Sequence, residues 1–206
     1  MTTTKLRVLA MTAVCALALT GAVTAEAGKS GKRVKLDGNQ TTVALSAPVS
    51  KALADNGVTV SLLGKATAGP NGEVVLPITG GRVNPQNLRG VVRHAGGVRL
   101  TKGNKSLSLR RFTIVSTKRG AYLAARVNKR GGKAKASGRK RNRGRNLVLA
   151  RLANVTRSDA NGVTTVTANL RLTKRAAKLI RNRFGVAAAK KGILLGTAKV
   201  EAKPKS

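Results

Sequence analysis

The sequence has very few of the residues on which enzymes and metal proteins depend. Among its 206 residues there is one histidine, one cysteine and no tryptophan, and Asp and Glu together number six. The acidic residues are scattered along the chain. No catalytic triad, metal cluster or phosphate-binding loop can be assembled by motif from this set, so we predict that the protein is not an enzyme.

Aromatic residues are nearly absent, at 1% of the chain, whereas Lys and Arg number 41 and give a formal net charge of +35. The core must therefore consist of Val, Leu, Ile and Ala. The charge favours a nucleic-acid-binding protein as one alternative function. Two observations oppose that alternative: aromatic platforms for base stacking are lacking, and the N-terminus has the pattern of an export signal.

Residues 1–27 have the three-part order of a secretory signal peptide. Lys5 and Arg7 precede an apolar run of twelve residues, and Ala25-Glu26-Ala27 forms a small-x-small cleavage site. The apolar run is too short for a stable membrane span. We therefore predict cleavage after Ala27 and a secreted or cell-surface protein. The only cysteine, Cys15, leaves with the signal, so disulfides are not expected.

The segment from Gly72 to Val127 organises the rest of the chain. It consists of short runs rich in Val, Leu and Ile, most of them ended by Gly, Asn or Lys, and this pattern is typical of consecutive strands. We predict a mainly β fold of sandwich-like antiparallel sheets with one or two short peripheral helices. Residues 28–40 form a lead-in segment, residues 41–201 the domain and residues 202–206 a tail.

Local signals refine this prediction. Asp37-Gly38-Asn39 predicts a turn between two short strands. The alternation of apolar residues changes parity between Leu109 and Phe112, which predicts a β-bulge near Arg110–Arg111. Helices are predicted after Ser46 and after Thr173.

The two predicted helices lie in similar surroundings. Each follows a strand and precedes a strand that contains Leu-Leu-Gly. One domain and two related half-motifs are both compatible with this similarity.

The segment 129–145 is strongly basic. Nine of its seventeen residues are Lys or Arg and none is acidic, so we predict a mobile loop between two strands. Clustered cations attract anionic cell-wall polymers, lipid headgroups or other polyanions, although a solvated loop without a ligand is the plainer alternative. The candidate polyanion-binding residues are Lys129, Arg130, Lys133, Lys135, Arg139, Lys140, Arg141, Arg143 and Arg145.

A set of glycine and aliphatic spacings resembles a known family. It comprises Gly80-Gly81, Gly90–Arg93, Gly97–Leu100, Phe112–Ile114 and Tyr122–Val127. In this order the residues resemble the HtaA-type domain of secreted actinobacterial proteins, over roughly residues 41–201. The resemblance implies a mostly β, surface-exposed domain. It also implies that haem could be bound, as in some members, through a tyrosine and a histidine.

The haem ligands of that family do not carry over position by position. The region matching the family's tyrosine segment, Val34–Ala47, has no aromatic residue, and the family's histidine position falls on Lys102–Lys105. The one histidine, His94, belongs to the preceding strand and is the remaining haem-ligand candidate. We therefore expect no cofactor, with haem as the alternative. The predicted function is that of a non-enzymatic extracellular module that binds anionic partners electrostatically, and haem uptake is the first competing function.

Overall fold

The computed structural model describes residues 31–130 and 144–205, which form eleven strands and two helices. The helices are α1 (Ala47–Asp55) and α2 (Lys174–Phe184). The strands are β1 (Val34–Leu45), β2 (Thr59–Leu63), β3 (Thr67–Ala68), β4 (Val74–Val83), β5 (Gly90–His94), β6 (Gly97–Lys102), β7 (Lys105–Thr117), β8 (Gly120–Arg130), β9 (Arg145–Ala160), β10 (Val163–Leu172) and β11 (Leu194–Pro204).

Eight antiparallel strands close into a barrel in the order β1-β4-β5-β7-β8-β9-β10-β11, with β11 returning to β1. The remaining strands extend from this ring, because β6 pairs with β7, β2 with β6 and β3 with β4. The predicted mainly β fold is confirmed, but the sandwich-like arrangement is corrected to a barrel. Both architectures bury alternate residues of every strand, so periodicity does not distinguish them. The pairing of β7 with β8 closes the ring and thereby distinguishes a barrel from a sandwich.

Strand β7 is the branch point of the sheet. Its first half pairs with β6 up to Arg110, and its second half pairs with β5 from Thr113 onward. Between these ladders Arg111 has a φ of 52° and the register with β8 shifts. The predicted bulge is therefore confirmed. It allows one strand to serve both the barrel and the β6–β2 extension.

The predicted turn at Asp37-Gly38-Asn39 is wrong. Strand β1 is continuous through these residues, and they form an irregularity at which the pairing with β11 skips from Leu36 to Asn39. Gly38 and Asn39 take positive φ values of 100° and 75°. Because β4 and β11 flank β1 on both sides, tertiary pairing keeps this turn-prone segment extended.

Both predicted helices are present, and both follow strands that end at the same end of the barrel. The Thr173 hydroxyl accepts a hydrogen bond from the amide of Ala176 at 3.2 Å, and Gly185 ends α2 with a φ of 79°. Ser46 does not cap α1 with its side chain. Its hydroxyl donates instead to the Leu194 carbonyl at 2.8 Å, which ties the start of α1 to β11.

The basic segment begins and ends within strands. Lys129 and Arg130 belong to β8 and Arg145 opens β9, so both ends of the range predicted as a mobile loop are strand residues. The other candidates, Lys133, Lys135, Arg139, Lys140, Arg141 and Arg143, lie outside the described residues. Within residues 31–130 and 144–205, no helix has the length and apolarity needed to span a membrane.

Candidate functional site

His94 lies inside the barrel at the end of β5, with only 5% of its surface exposed. Its Nδ1 is 3.1 Å from the Phe112 carbonyl oxygen and its Nε2 is 2.7 Å from the Thr41 hydroxyl. A carbonyl oxygen can only accept, so Nδ1 carries the proton and Nε2 accepts from Thr41. Phe112 lies between the β6 and β5 ladders of β7, which leaves its carbonyl available to the imidazole.

Burial lowers the pKa of His94 from 6.5 to about 4, although the hydrogen bond to the Phe112 carbonyl acts in the opposite direction. The imidazole is therefore neutral at pH 7. Both of its nitrogens have protein partners, so neither presents a lone pair to a metal or haem iron. Sequence reasoning missed Thr41 as a partner, because it lies 53 residues away in the chain.

Two apolar cavities lie toward opposite ends of the barrel, and neither is lined by Thr41 or His94. The helical-end cavity has a volume of about 140 Å³ and is lined by residues of both helices and by Phe112. The mouth cavity, at the opposite end, has a volume of about 350 Å³. Neither cavity lining contains a histidine, cysteine, methionine or tyrosine. An iron ligand of the usual types is thus missing from both linings.

Tyr122 lies on the outer wall of the barrel, because its neighbour Leu123 points inward and is buried. It is half-buried and stands opposite Val115 on β7 and Arg151 on β9. Arg151 in turn stands opposite Arg171 on β10. We call this row of Tyr122, Arg151 and Arg171 the tyrosine wall. Two arginines at directly opposed positions repel each other, and an anion placed between them would relieve that repulsion.

A second group of cations surrounds a shallow depression on the outer surface of β1, β4 and β5. Lys35 stands opposite Arg82, so these two also form a like-charge cross-strand pair. Gly80 and Gly81 line the same depression and contribute no side chain. We call this depression the basic groove, and its charged lining residues are Arg33, Lys35, Asp37, Arg82, Arg93 and Lys205.

The acidic residues are mostly engaged or remote from these surfaces. Lys51 pairs with Asp55 at 3.0 Å, and Lys199 pairs with Glu201 at 2.6 Å. Among the residues that the structure describes, no three His, Cys, Asp or Glu side chains come together as a metal-binding group.

No protein-family model matches the sequence, and no curated protein matches it. Solved structures do. The C-terminal domain of HtaA from Corynebacterium glutamicum superimposes with a TM-score of 0.60 and 15% identity, and the match covers 84% of this chain and 98% of that chain. The fold is that of an HtaA-type domain. The resemblance predicted from the sequence is thus confirmed at the level of fold.

Two further structures from the same organism agree. The heme binding protein HtaB has a TM-score of 0.56 and 14% identity, with 84% of this chain and 96% of that chain covered. The N-terminal domain of HtaA has a TM-score of 0.53 and 13% identity, with coverages of 82% and 98%. Identities this low establish a shared architecture and leave the ligand to be argued from the residues present.

The structure brings few of the predicted site residues together. Lys129 and Arg145 are exposed and lie near the ends of the neighbouring strands β8 and β9. The role proposed for the basic segment remains a prediction. The tyrosine wall and the basic groove were both missed, because each joins residues that are distant in sequence and meet only through strand register.

Proposed function

We propose that this chain is a non-enzymatic binding module that acts outside the cytoplasm, with haem as its first candidate ligand. The observation that carries the proposal is the HtaA-type fold, which the chain shares with the heme binding protein HtaB over 84% of its length. Action outside the cytoplasm is supported by the signal-peptide pattern of residues 1–27.

Of the two residues that could ligate haem iron, Tyr122 fits better than His94. His94 does not fit as an iron ligand, because both ring nitrogens are engaged inside the barrel. Tyr122 fits better, because a tyrosine oxygen is a known haem ligand and Tyr122 stands on the outer wall opposite Arg151. In the tyrosine wall, Arg151 and Arg171 offer charge to the two haem carboxylates. The protein would carry haem, with its iron, as a ligand and would not use it as a catalytic group.

Haemin titration followed by absorption tests the proposal. The wild-type protein is expected to shift the Soret band with saturation at one haemin per chain, and Tyr122→Phe is expected to abolish the shift while leaving the fold intact. The double variant Lys190→Gln/Lys191→Gln removes two exposed cations elsewhere and serves as a charge control. A wild-type spectrum identical to that of free haemin would refute haem binding. A shift that survives in Tyr122→Phe would refute the tyrosine wall as its site.

A second candidate function, polyanion binding, is favoured by the basic groove. Five cations and one acid line it, and Lys35 and Arg82 stand directly opposite each other. Phosphate, sulfate or carboxylate groups of a polymer would relieve this repulsion and release counterions. The neighbouring Gly80-Gly81 leaves room for such a chain.

Heparin, as a model polyanion, distinguishes this function from haem binding. The logarithm of the heparin affinity is expected to fall linearly with the logarithm of the salt concentration. Lys35→Gln/Arg82→Gln should reduce that slope by about two, because one contact is lost at each site. The variant Lys190→Gln/Lys191→Gln removes the same charge elsewhere. Equal slopes for the two double variants would exclude the groove as the site.

A further inference from the structure

The end of the barrel opposite the helices is hollow. Small eight-stranded barrels are either filled by inward side chains or hold one small ligand. Here the inward positions around the mouth cavity include Gly90, Ala121 and Ala202, which are too small to fill it. The resulting 350 Å³ reaches the range of small-molecule sites, which begins at about 300 Å³, whereas the helical-end cavity of about 140 Å³ does not.

The mouth cavity is open at one end and closed at the other. Its floor contains the buried side chains of Val92, Ile114 and Val200. Its rim contains Pro204 and Val155, and Val155 is 48% exposed. A ligand can therefore enter from solvent without displacing a buried residue.

The lining of the mouth cavity determines the chemistry of the ligand body. It is predominantly aliphatic, with Asn87, Ser116 and Thr164 as its hydroxyl- or amide-bearing side chains. It contains no aromatic ring and no charged side chain. A flexible hydrocarbon chain matches such a lining, since its transfer from water is favourable by about 0.8 kcal/mol per buried methylene.

The charge around the rim determines the chemistry of the ligand head. Five segments surround the mouth: residues 31–33, 84–89, 117–120, 155–164 and 203–205. Their one acid, Asp159, is already bonded to Arg157 and Thr164. Their basic residues are Lys32, Arg33, Arg89, Lys118, Arg119, Arg157, Lys203 and Lys205. An anionic head at the mouth would therefore be attracted from several sides.

We propose that the mouth cavity binds one long-chain aliphatic carboxylate, a fatty acid, with its chain against the floor and its carboxylate at the basic rim. This site is separate from the tyrosine wall, because Ala121 points into the barrel whereas Tyr122 points outward. It therefore stands independently of haem binding.

Titration of the full chain with the fluorescent fatty acid cis-parinaric acid, followed by competition with palmitate, tests the proposal. One molecule per chain is expected to bind. Ala121→Leu fills the cavity and is expected to weaken binding by about tenfold or more, equivalent to about 1.4 kcal/mol. Ala124→Leu makes the same change on the outer face of the same strand, where Ala124 stands opposite Val148, and should bind like the wild type.

A rim variant tests the charge of the head and does not disturb the interior. Lys118→Glu places a carboxylate at an exposed rim position outside the apolar lining. It is expected to weaken palmitate competition by about tenfold and to leave competition by the neutral alcohol hexadecanol within about twofold. This variant also decides the matter if Ala121→Leu fails to fold, as judged by circular dichroism.

Three results would overturn the proposal. The first is a folded Ala121→Leu protein that binds with wild-type affinity. The second is equal weakening of palmitate and hexadecanol by Lys118→Glu, or no effect on either. The third is a stoichiometry of several fatty acids per chain that salt abolishes, which would indicate non-specific association with the basic surface.

Discussion

His94 makes the stability of this protein depend on pH in a way that can be worked out from the structure. Its pKa is lowered by burial to about 4 from 6.5, so the unfolded state binds a proton that the folded state rejects between these values. The contribution of His94 to the free energy of unfolding is therefore fully present above pH 6.5. It falls as the pH drops through the interval and levels off below pH 4. Asp159 begins to contribute only near the lower end of this interval, because its pKa is lowered from 3.8 by its hydrogen bonds to Arg157 and Thr164.

The expected size of the effect follows from the same two values. Each tenfold change in proton affinity is equivalent to about 1.4 kcal/mol, so the difference between 6.5 and about 4 corresponds to roughly 3 kcal/mol of unfolding free energy. Small domains are stable by about 5–15 kcal/mol in total. Acidification to pH 4 should therefore remove a large share of the stability of the barrel.

Urea unfolding of the wild type and of His94→Asn at a series of pH values measures the contribution of His94 to the free energy of unfolding. Asparagine has no titrating group and is small enough for the site. Subtraction of the two curves cancels the carboxylates that both proteins share. The wild type is expected to lose about 3 kcal/mol relative to the variant between pH 7 and pH 4, and nothing between pH 8 and pH 7.

Parallel curves for the two proteins across this range would refute the reasoning. They would mean that the folded protein protonates the imidazole with nearly its ordinary pKa, as it would if water reached the ring inside the barrel. A direct NMR titration of the His94 ring with a midpoint near 6.5 would establish this.

Four further substitutions test the packing of the barrel and the cap of α2, each by urea unfolding. Gly90→Ala should destabilise the protein by more than about 2 kcal/mol, because Gly90 has a φ of 154° and an added Cβ would overlap the Arg82 carbonyl oxygen. Gly120 has a φ of 115° and open space around it, so Gly120→Ala should cost only about 1 kcal/mol. Equal losses for the two variants would contradict the steric argument. Thr173→Ala should cost about 1 kcal/mol through the lost cap of α2, and no change would mean that tertiary contacts alone hold the helix start. Phe112→Ala should cost about 3–5 kcal/mol because it enlarges the helical-end cavity, and a loss below 1 kcal/mol would show that the cavity collapses.

Local features of the fold could be predicted because they depend on neighbours in sequence. The bulge at Arg110–Arg111 was visible as a parity change, and the cap of α2 was visible as Thr173 before a helical pattern. The prediction of a turn at Asp37-Gly38-Asn39 was wrong for the converse reason. Its local preference was outweighed by pairing with β4 and β11, two strands whose positions no local signal reveals.

The candidate sites could be predicted only in part. Sequence alone identified His94 as the single imidazole, but its partners Thr41 and Phe112 became known only from the barrel interior. The cross-strand pairs of Arg151 with Arg171 and of Lys35 with Arg82 depend on register. A shift of one residue would turn these side chains to the opposite face.

Residue type and spacing over a few positions were enough to predict the composition of the core, the excess of positive charge, the strand-rich character and the two helices. The closed barrel, the burial of the histidine inside it and the hollow end became known only from the way distant strands pair. Closure depends on β7 pairing with β8 while β11 pairs with β1. The strands of the second pair are about 150 residues apart in the chain, and alternation along a single strand is the same in a sandwich and in a barrel.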